Sequence, residues 1–192
     1  MAVEIEAKMK LADREAMIGR LKAAGGSMVE DLFETNVFFD TPDGSLRNSD
    51  SGLRVRSEVN VNDPAASRVI VTHKGPRLPG PIKQRAETEM DVVDPDDAAE
   101  LFTALGFAEQ IRFEKRRQRW RLDDCTIELD ELPQIGQFIE IEGPGEETVM
   151  SVREKLGLAD EPMIREGYAS MVWQLLSTHG QGTRVLNFEE AK

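Results

Sequence analysis

The chain has 192 residues, 40% apolar and 31% charged, with a formal net charge of −12 and a pI of about 4.7. That suits one globular domain and excludes a disordered chain. Such acidity argues against a nucleic-acid binder, which needs a basic footprint, and no apolar run approaches the ~20 residues of a membrane span.

Residues 2–10 alternate, with Val3, Ile5, Ala7 and Met9 on one face and Glu4, Glu6, Lys8 and Lys10 on the other, which predicts a strand. The same alternation holds no signal-peptide core, and Cys125 is the only cysteine, so a cytoplasmic location is expected. Residues 12–24 carry apolar side chains at helical spacing, with Asp13 near the start and Gly25 and Gly26 to stop the helix. Residues 28–40 read as a strand and 41–44 (TPDG) as a turn. Residues 53–58 and 67–74 read as strands around an exposed loop at 59–66. Residues 75–81 contain three prolines, which predicts an irregular, mobile loop able to act as a lid. A strand at 82–92, a helix at 95–105, and a hairpin of 107–122 and 125–130 turned at Asp123 and Asp124 follow. A last strand at 135–142 and helices at 146–156 and 163–177 complete one domain, residues 1–177; residues 178–192 read as a loosely held tail. Strands that come in runs favour an antiparallel α+β architecture.

The charges do not behave like an ordinary sheet surface. Arg54 and Arg56 share a face, as do Lys83, Arg85, Glu87 and Glu89; Lys115, Arg117, Arg119 and Arg121; Glu128 and Asp130; and Glu140 and Glu142. For any one strand a solvated outer face with cross-strand ion pairs is the simpler reading. The opposite faces, however, are apolar enough to pack under helices. If the sheet closes, its charged face becomes an interior that must pair or ligate both signs. Carboxylates two residues apart lie about 7 Å apart along a strand; such pairs from different strands, with Asp130, can surround a hard cation, for which oxygen ligands favour Mg²⁺ or Mn²⁺. Arginines and lysines bind phosphate oxygens. Phosphate-loop, dinucleotide and nucleophile-elbow motifs are absent. His73 points away from the face of Lys74, and His179 lies in the tail. Cys125, Trp120, Trp173 and Tyr168 read as packing residues.

In order along the chain, Glu4-Ile5-Glu6-Ala7-Lys8, Phe38-Phe39-Asp40-Thr41-Pro42, Leu53-Arg54-Val55-Arg56, Thr72-His73-Lys74-Gly75-Pro76, Arg85-Ala86-Glu87-Thr88-Glu89, Lys115-Arg116-Arg117 and Leu129-Asp130 through Glu142 resemble the signatures of the CYTH superfamily. This is the class IV adenylate cyclase and thiamine triphosphatase group, and the cyclase-type subgroup is the closest in pattern. The resemblance implies an eight-stranded antiparallel β-barrel or tunnel with flanking helices that binds a triphosphate with Mg²⁺ or Mn²⁺. It assigns Glu4, Glu6, Asp130, Glu140 and Glu142 to the metal and Lys8, Arg54, Arg56, Lys74, Arg85, Lys115 and Arg117 to the triphosphate, with Glu87, Glu89 and Glu128 in support. It leaves two reactions open: conversion of ATP to cyclic AMP and pyrophosphate, or hydrolysis of tripolyphosphate, thiamine triphosphate or a nucleoside triphosphate. The His-Phe pair that precedes ExExK in well-defined bacterial cyclases is absent before Glu4. A metal-independent polyphosphate-binding module is a remote third reading. The expected partner is a small-molecule triphosphate, with no nucleic acid or membrane; a homodimer is carried as an alternative to a monomer.

Overall fold

Alternating stretches become strands and helix-spaced stretches become helices in a computed structural model, which describes residues 2–178 and 184–189. The first half contains β1 (Ala2–Lys10), α1 (Arg14–Ala23), β2 (Ser27–Asp40), α2 (Ser45–Asn48), β3 (Gly52–Asn60), β4 (Arg68–Arg77) and β5 (Lys83–Val92). The second contains α3 (Pro95–Ala104), β6 (Ala108–Leu122), β7 (Cys125–Leu132), β8 (Gly136–Glu142), α4 (Glu146–Lys155), α5 (Tyr168–Thr178) and β9 (Val185–Leu186). Local chemistry sets the boundaries. Asp13 caps α1 by accepting from Ala16 N at 2.9 Å, and Gly25 leaves the helix at φ +89°. Asp123, at φ +50°, turns the β6–β7 hairpin in the left-handed region that aspartate tolerates.

Strands β2-β3-β4-β5-β1-β8-β7-β6 pair antiparallel in that order, and β6 pairs back with β2. The sheet thus closes into the eight-stranded antiparallel barrel that the alternation and the family resemblance imply. The apolar core lies outside the barrel wall. Met17 and Leu21 of α1 and Val149 and Val152 of α4 cover Ile127, Leu129, Ile139 and Ile141. Ala98 and Phe102 of α3 cover Val37, Phe39, Leu53 and Val55. Each fully buried side chain of this kind contributes about 1.5–3 kcal/mol. Trp120 is buried in the first of these clusters, and Cys125 packs there too. The period-two pattern therefore sends apolar side chains outward under helices and charged ones inward.

Because neighbours run antiparallel, one rim gathers the ends of β1, β2, β4 and β7 and the starts of β3, β5, β6 and β8. α5 packs against Phe38, Phe113 and Phe138 at that rim. The opposite rim carries the start of β1 and the ends of β3 and β8.

Four details differ from the sequence reading. Residues 75–77 continue β4 through a bulge between Lys74 and Arg77. Pro76 is tolerated because a bulged residue owes no ladder N–H, and Arg77 N donates to Asp50 Oδ2 at 2.9 Å. The turn beyond is tied down: Arg165 donates to the carbonyls of Leu78 and Gly80. Residues 163–167 are not helical, because Ile164 N donates to Lys8 O at 2.8 Å and holds the segment against β1. The short helix α2 follows the predicted turn. Finally, residues 184–189 are not loose. β9 pairs in parallel with β6, which has an open edge beyond the end of β7, and Leu186 is buried. His179 lies outside the described residues.

Candidate active site

The inward faces surround a cavity of about 880 Å³, within the usual range of small-molecule sites. Among the described residues, twelve of the chain's 24 lysines and arginines line it, with ten of its 36 acids. The lining is thus basic in a chain of net charge −12, and Glu34 and Asp130, buried beneath it, bring the acids of the interior level with its bases.

These charges form connected ion pairs. On β1, Lys8 Nζ stands 3.1 Å from Glu140 of β8. Lys83 of β5 holds Glu6 at 2.8 Å and Glu4 at 3.3 Å. Lys74 of β4 bridges Glu4, at 3.2 Å, and Glu87. Arg117 of β6 forks onto Asp130 at 2.6 and 2.5 Å, reaches Glu140 at 2.8 Å and pairs with Glu128. Lys115 lies between Glu34, at 3.1 Å, and Asp130, at 3.3 Å. Arg56 contacts Glu58 at 3.2 Å and Asn36 Oδ1 at 3.0 Å. Arg54 donates to Thr72 Oγ1 at 2.9 Å and faces Glu89 at 3.6 Å, and Glu89 itself is half exposed. The Nε of Arg54 is buried with no hydrogen-bond partner among the described residues, a cost that an incoming anion would remove.

The pairing sets the protonation states. Burial raises the Glu34 and Glu140 carboxyls, but the cations around each outweigh it and hold both well below the usual range. Burial, then Arg56, lowers Arg54 to about 10. Lys74 and Lys115 are also lowered by burial, while Glu6 and Glu4 outweigh burial at Lys83 and raise it. Glu142 behaves differently. Loss of hydration, then repulsion from Glu128, Glu4, Glu6 and Glu87, pushes it up to about 7.

Every residue assigned from sequence reaches the barrel interior, but not all at its surface. Asp130 is wholly buried beneath the lining, where it holds Lys115 and Arg117. Arg85 lines the cavity yet donates to the carbonyls of Gly75 (2.8 Å from Nε) and Asp50 (2.8 Å). Glu34, Asn36 and Arg119 belong to the same network without a sequence assignment. Glu34 and Asn36 share the parity of Phe38 and Asp40 on β2, and Arg119 continues the spacing of Lys115 and Arg117, so strand parity is the signal that could have found all three. Tyr168 and Trp173 also line the cavity rather than serving packing alone. Lys8 lies over the Tyr168 ring at 3.9 Å.

The donor set suits a hard cation. Carboxylate oxygens of Glu128, Asp130 and Glu140 lie within 4.8 Å of one another, but the Arg117 guanidinium already joins these three. Glu4 and Glu6, two residues apart on β1, are both held by Lys83. Glu6 and Glu142 are directly opposed across β1 and β8, an unfavourable arrangement for like charges, and Glu142 has no ion-pair partner among the described residues. All these donors are oxygens, which matches Mg²⁺ or Mn²⁺ and not a softer metal.

The fold and the site define a class of protein: a closed eight-stranded antiparallel barrel that gathers paired acids and bases inside. The CYTH domain matches residues 2–168, and the chain belongs to that family. A Methanocaldococcus jannaschii protein provisionally named an adenylate cyclase is 26% identical over 178 residues, covering 88% of this chain and 98% of the relative. The solved structure of a Pyrococcus horikoshii protein superposes with a TM-score of 0.77 at 24% identity, covering 90% of this chain and 99% of that one. A Hippeastrum protein provisionally named an adenylyl cyclase, and described as having a dominant triphosphatase activity, superposes with a TM-score of 0.66 at 21% identity, covering 93% and 97%. Among the described residues no helix is long and apolar enough to cross a membrane.

Proposed function

We propose that this chain is a divalent-metal-dependent enzyme that breaks a phosphoanhydride bond of a triphosphate inside the barrel. The observation that carries the reading is that twelve of an acidic chain's 24 lysines and arginines line one cavity, with Arg54 Nε buried and without a hydrogen-bond partner among the described residues. In this reading Lys8, Arg54, Arg56, Lys74, Lys115 and Arg117 bind phosphate oxygens, exchanging intramolecular carboxylates for the substrate. Glu4, Glu6, Glu140 and Glu142 would hold Mg²⁺ or Mn²⁺. Such an ion would neutralise phosphoryl charge and polarise the reacting phosphorus. Asp130 and Glu34, below the surface, keep Lys115, Arg117 and Arg56 charged and in place. Arg85 fixes the rim rather than the phosphates. Glu87 and Glu89 orient Lys74 and Arg54.

The name of the archaeal relative puts cyclisation first: the ribose 3′-oxygen of ATP bonds to the α-phosphorus, the bond from that phosphorus to its bridging oxygen breaks, and pyrophosphate leaves. Hydrolysis is the second reading, favoured by the order of groups along the barrel. The aromatic side chains stand at the rim capped by α5, and Glu142, at the end of β8, stands toward the opposite rim. A triphosphate with its organic group at the aromatic rim presents its terminal phosphorus to the carboxylates. Water oxygen would then bond to that phosphorus, the bond from it to the bridging oxygen would break, and the diphosphate would leave, so that the attacked phosphorus ends as orthophosphate. The Hippeastrum protein's described activity is of this kind. Incubation with Mg²⁺ or Mn²⁺ and ATP, followed by product separation, distinguishes them. Cyclic AMP with pyrophosphate marks cyclisation, and orthophosphate marks hydrolysis.

A further inference from the structure

Lys8 and Lys115 are almost wholly enclosed, with 2% and 1% exposed, and both lie over one ring. The Lys8 ammonium is 3.9 Å from the centroid of Tyr168, and that of Lys115 is 5.2 Å from it. Lys8 also donates to the Glu166 carbonyl at 2.9 Å and lies 3.1 Å from Glu140. Its one close carboxylate is therefore Glu140, whereas Lys115 stands between Glu34 and Asp130.

The fold fixes the place of that ring. The segment before α5 is tied to Lys8 twice: Ile164 N donates to its carbonyl at 2.8 Å, and its ammonium donates to Glu166. Tyr168 then begins α5, edge-on to Phe138 of β8, with centroids 5.2 Å apart and planes at 71°. The phenol oxygen is buried near Asp130 without a well-formed hydrogen bond, so the hydroxyl gains little from its position. Burial, then Asp130 and Glu140, hold its pKa well above the usual range, and the ring stays neutral. That neutrality matters when substrate enters. In the triphosphate reading Glu140 is among the acids that hold the divalent ion, so Lys8 gives up its carboxylate and keeps the ring and the Glu166 carbonyl. A carboxylate competes with phosphate for an ammonium. A neutral aromatic face attracts the ammonium, most strongly where water is excluded, and brings no net charge against the phosphate. Lysine is a point charge on a flexible four-carbon stem, and the ring restrains that stem after the acid has turned away.

We infer that Tyr168 is a positioning residue, whose aromatic face holds the Lys8 ammonium at the phosphates once Glu140 has left it. This rests on the triphosphate reading above and adds a residue to it. Packing against Phe138 alone accepts any large apolar side chain, whereas holding an ammonium requires the face of a ring.

The test is calorimetric titration of the protein with tripolyphosphate and with ATP, with Ca²⁺ in place of Mg²⁺ to slow turnover. Tyr168→Leu weakens both compounds about tenfold, the size of a desolvated cation–π contact, because the phosphates are common to them. Tyr168→Phe keeps the face, drops the poorly bonded hydroxyl and stays within about twofold of wild type. In a Lys8→Met background, which retains the other bases, Tyr168→Leu weakens binding less than about threefold, because the lysine through which the ring acts is gone. An equal loss in both backgrounds marks a merely structural role and overturns the inference. So does Tyr168→Phe binding as weakly as Tyr168→Leu, or Tyr168→Leu binding like wild type. Each of these results leaves the triphosphate reading intact, whereas a wild type that binds neither compound overturns both.

Discussion

Glu142 faces Glu6 across two strands and has no cation of its own among the described residues, and the consequence is a dependence on pH. Its folded value of about 7 lies above the ~4.3 of a free glutamate. The folded state therefore holds an extra proton between those values, and this group's contribution to stability falls as pH rises from about 4.5 to about 7. Glu142→Gln removes that loss. Thermal unfolding without divalent ions should show the variant melting higher than wild type at pH 8, with the gap closing at pH 5. Mg²⁺ should raise the wild-type Tm at pH 8 and raise that of the variant less. Equal melting at both pH values would show that the carboxylate is freely solvated. Arg117 is the converse case, a cation enclosed by Glu34, Glu128, Asp130 and Glu140. Arg117→Met removes the cation these four buried acids share, leaving them Lys8, Arg56, Lys115 and Arg119, and should cost about 3 kcal/mol in urea unfolding. A cost below ~1 kcal/mol would mean that the acids neutralise without it.

At the scale of elements, strand parity is the legible signal. Alternation along β1, β3 and β6 puts Glu6, Lys8, Arg54, Lys115 and Arg117 on the charged faces of their strands, and the pairing of β6 with β2, which closes the sheet, turns those faces inward. What stays hidden in the sequence depends on contacts between distant segments. Gly75-Pro76-Arg77 reads as irregular in isolation, and becomes strand because a bulge absorbs the proline and Asp50 receives Arg77 N. Residues 163–167 carry a helical pattern, but Lys8 O captures Ile164 N. Asp130 is legible as an inward acid, yet its depth is not, since that follows from the neighbouring Lys115 and Arg117. β9 has only two residues, too short for periodicity to register, and exists because β6 outruns β7 and leaves an edge. Leu186 then fills the cluster under α5. Leu186→Ala should cost about 2–4 kcal/mol, measured as a shifted urea midpoint with unchanged slope. A loss under ~0.5 kcal/mol would return residues 184–189 to the status of a loose tail.

On the scale of the whole molecule, the fold reverses the usual placement of charge. Helices cover the apolar outer faces, and the interior collects half of the chain's basic residues together with the acids that pair them, while the remaining surface is acidic. Asp130 and Glu34 hold bases in place, while Glu4 and Glu6 pair with Lys74 and Lys83 and, in the proposed reading, would exchange those lysines for a cation beside Glu142. That exchange is the central claim, and Glu4→Gln and Glu6→Gln test it most directly, since each removes a charge without changing shape. Triphosphate turnover with Mg²⁺ or Mn²⁺ should be detectable in wild type and fall by at least about a hundredfold in both variants, with Tm and circular dichroism unchanged. Unchanged turnover in both variants would contradict the account.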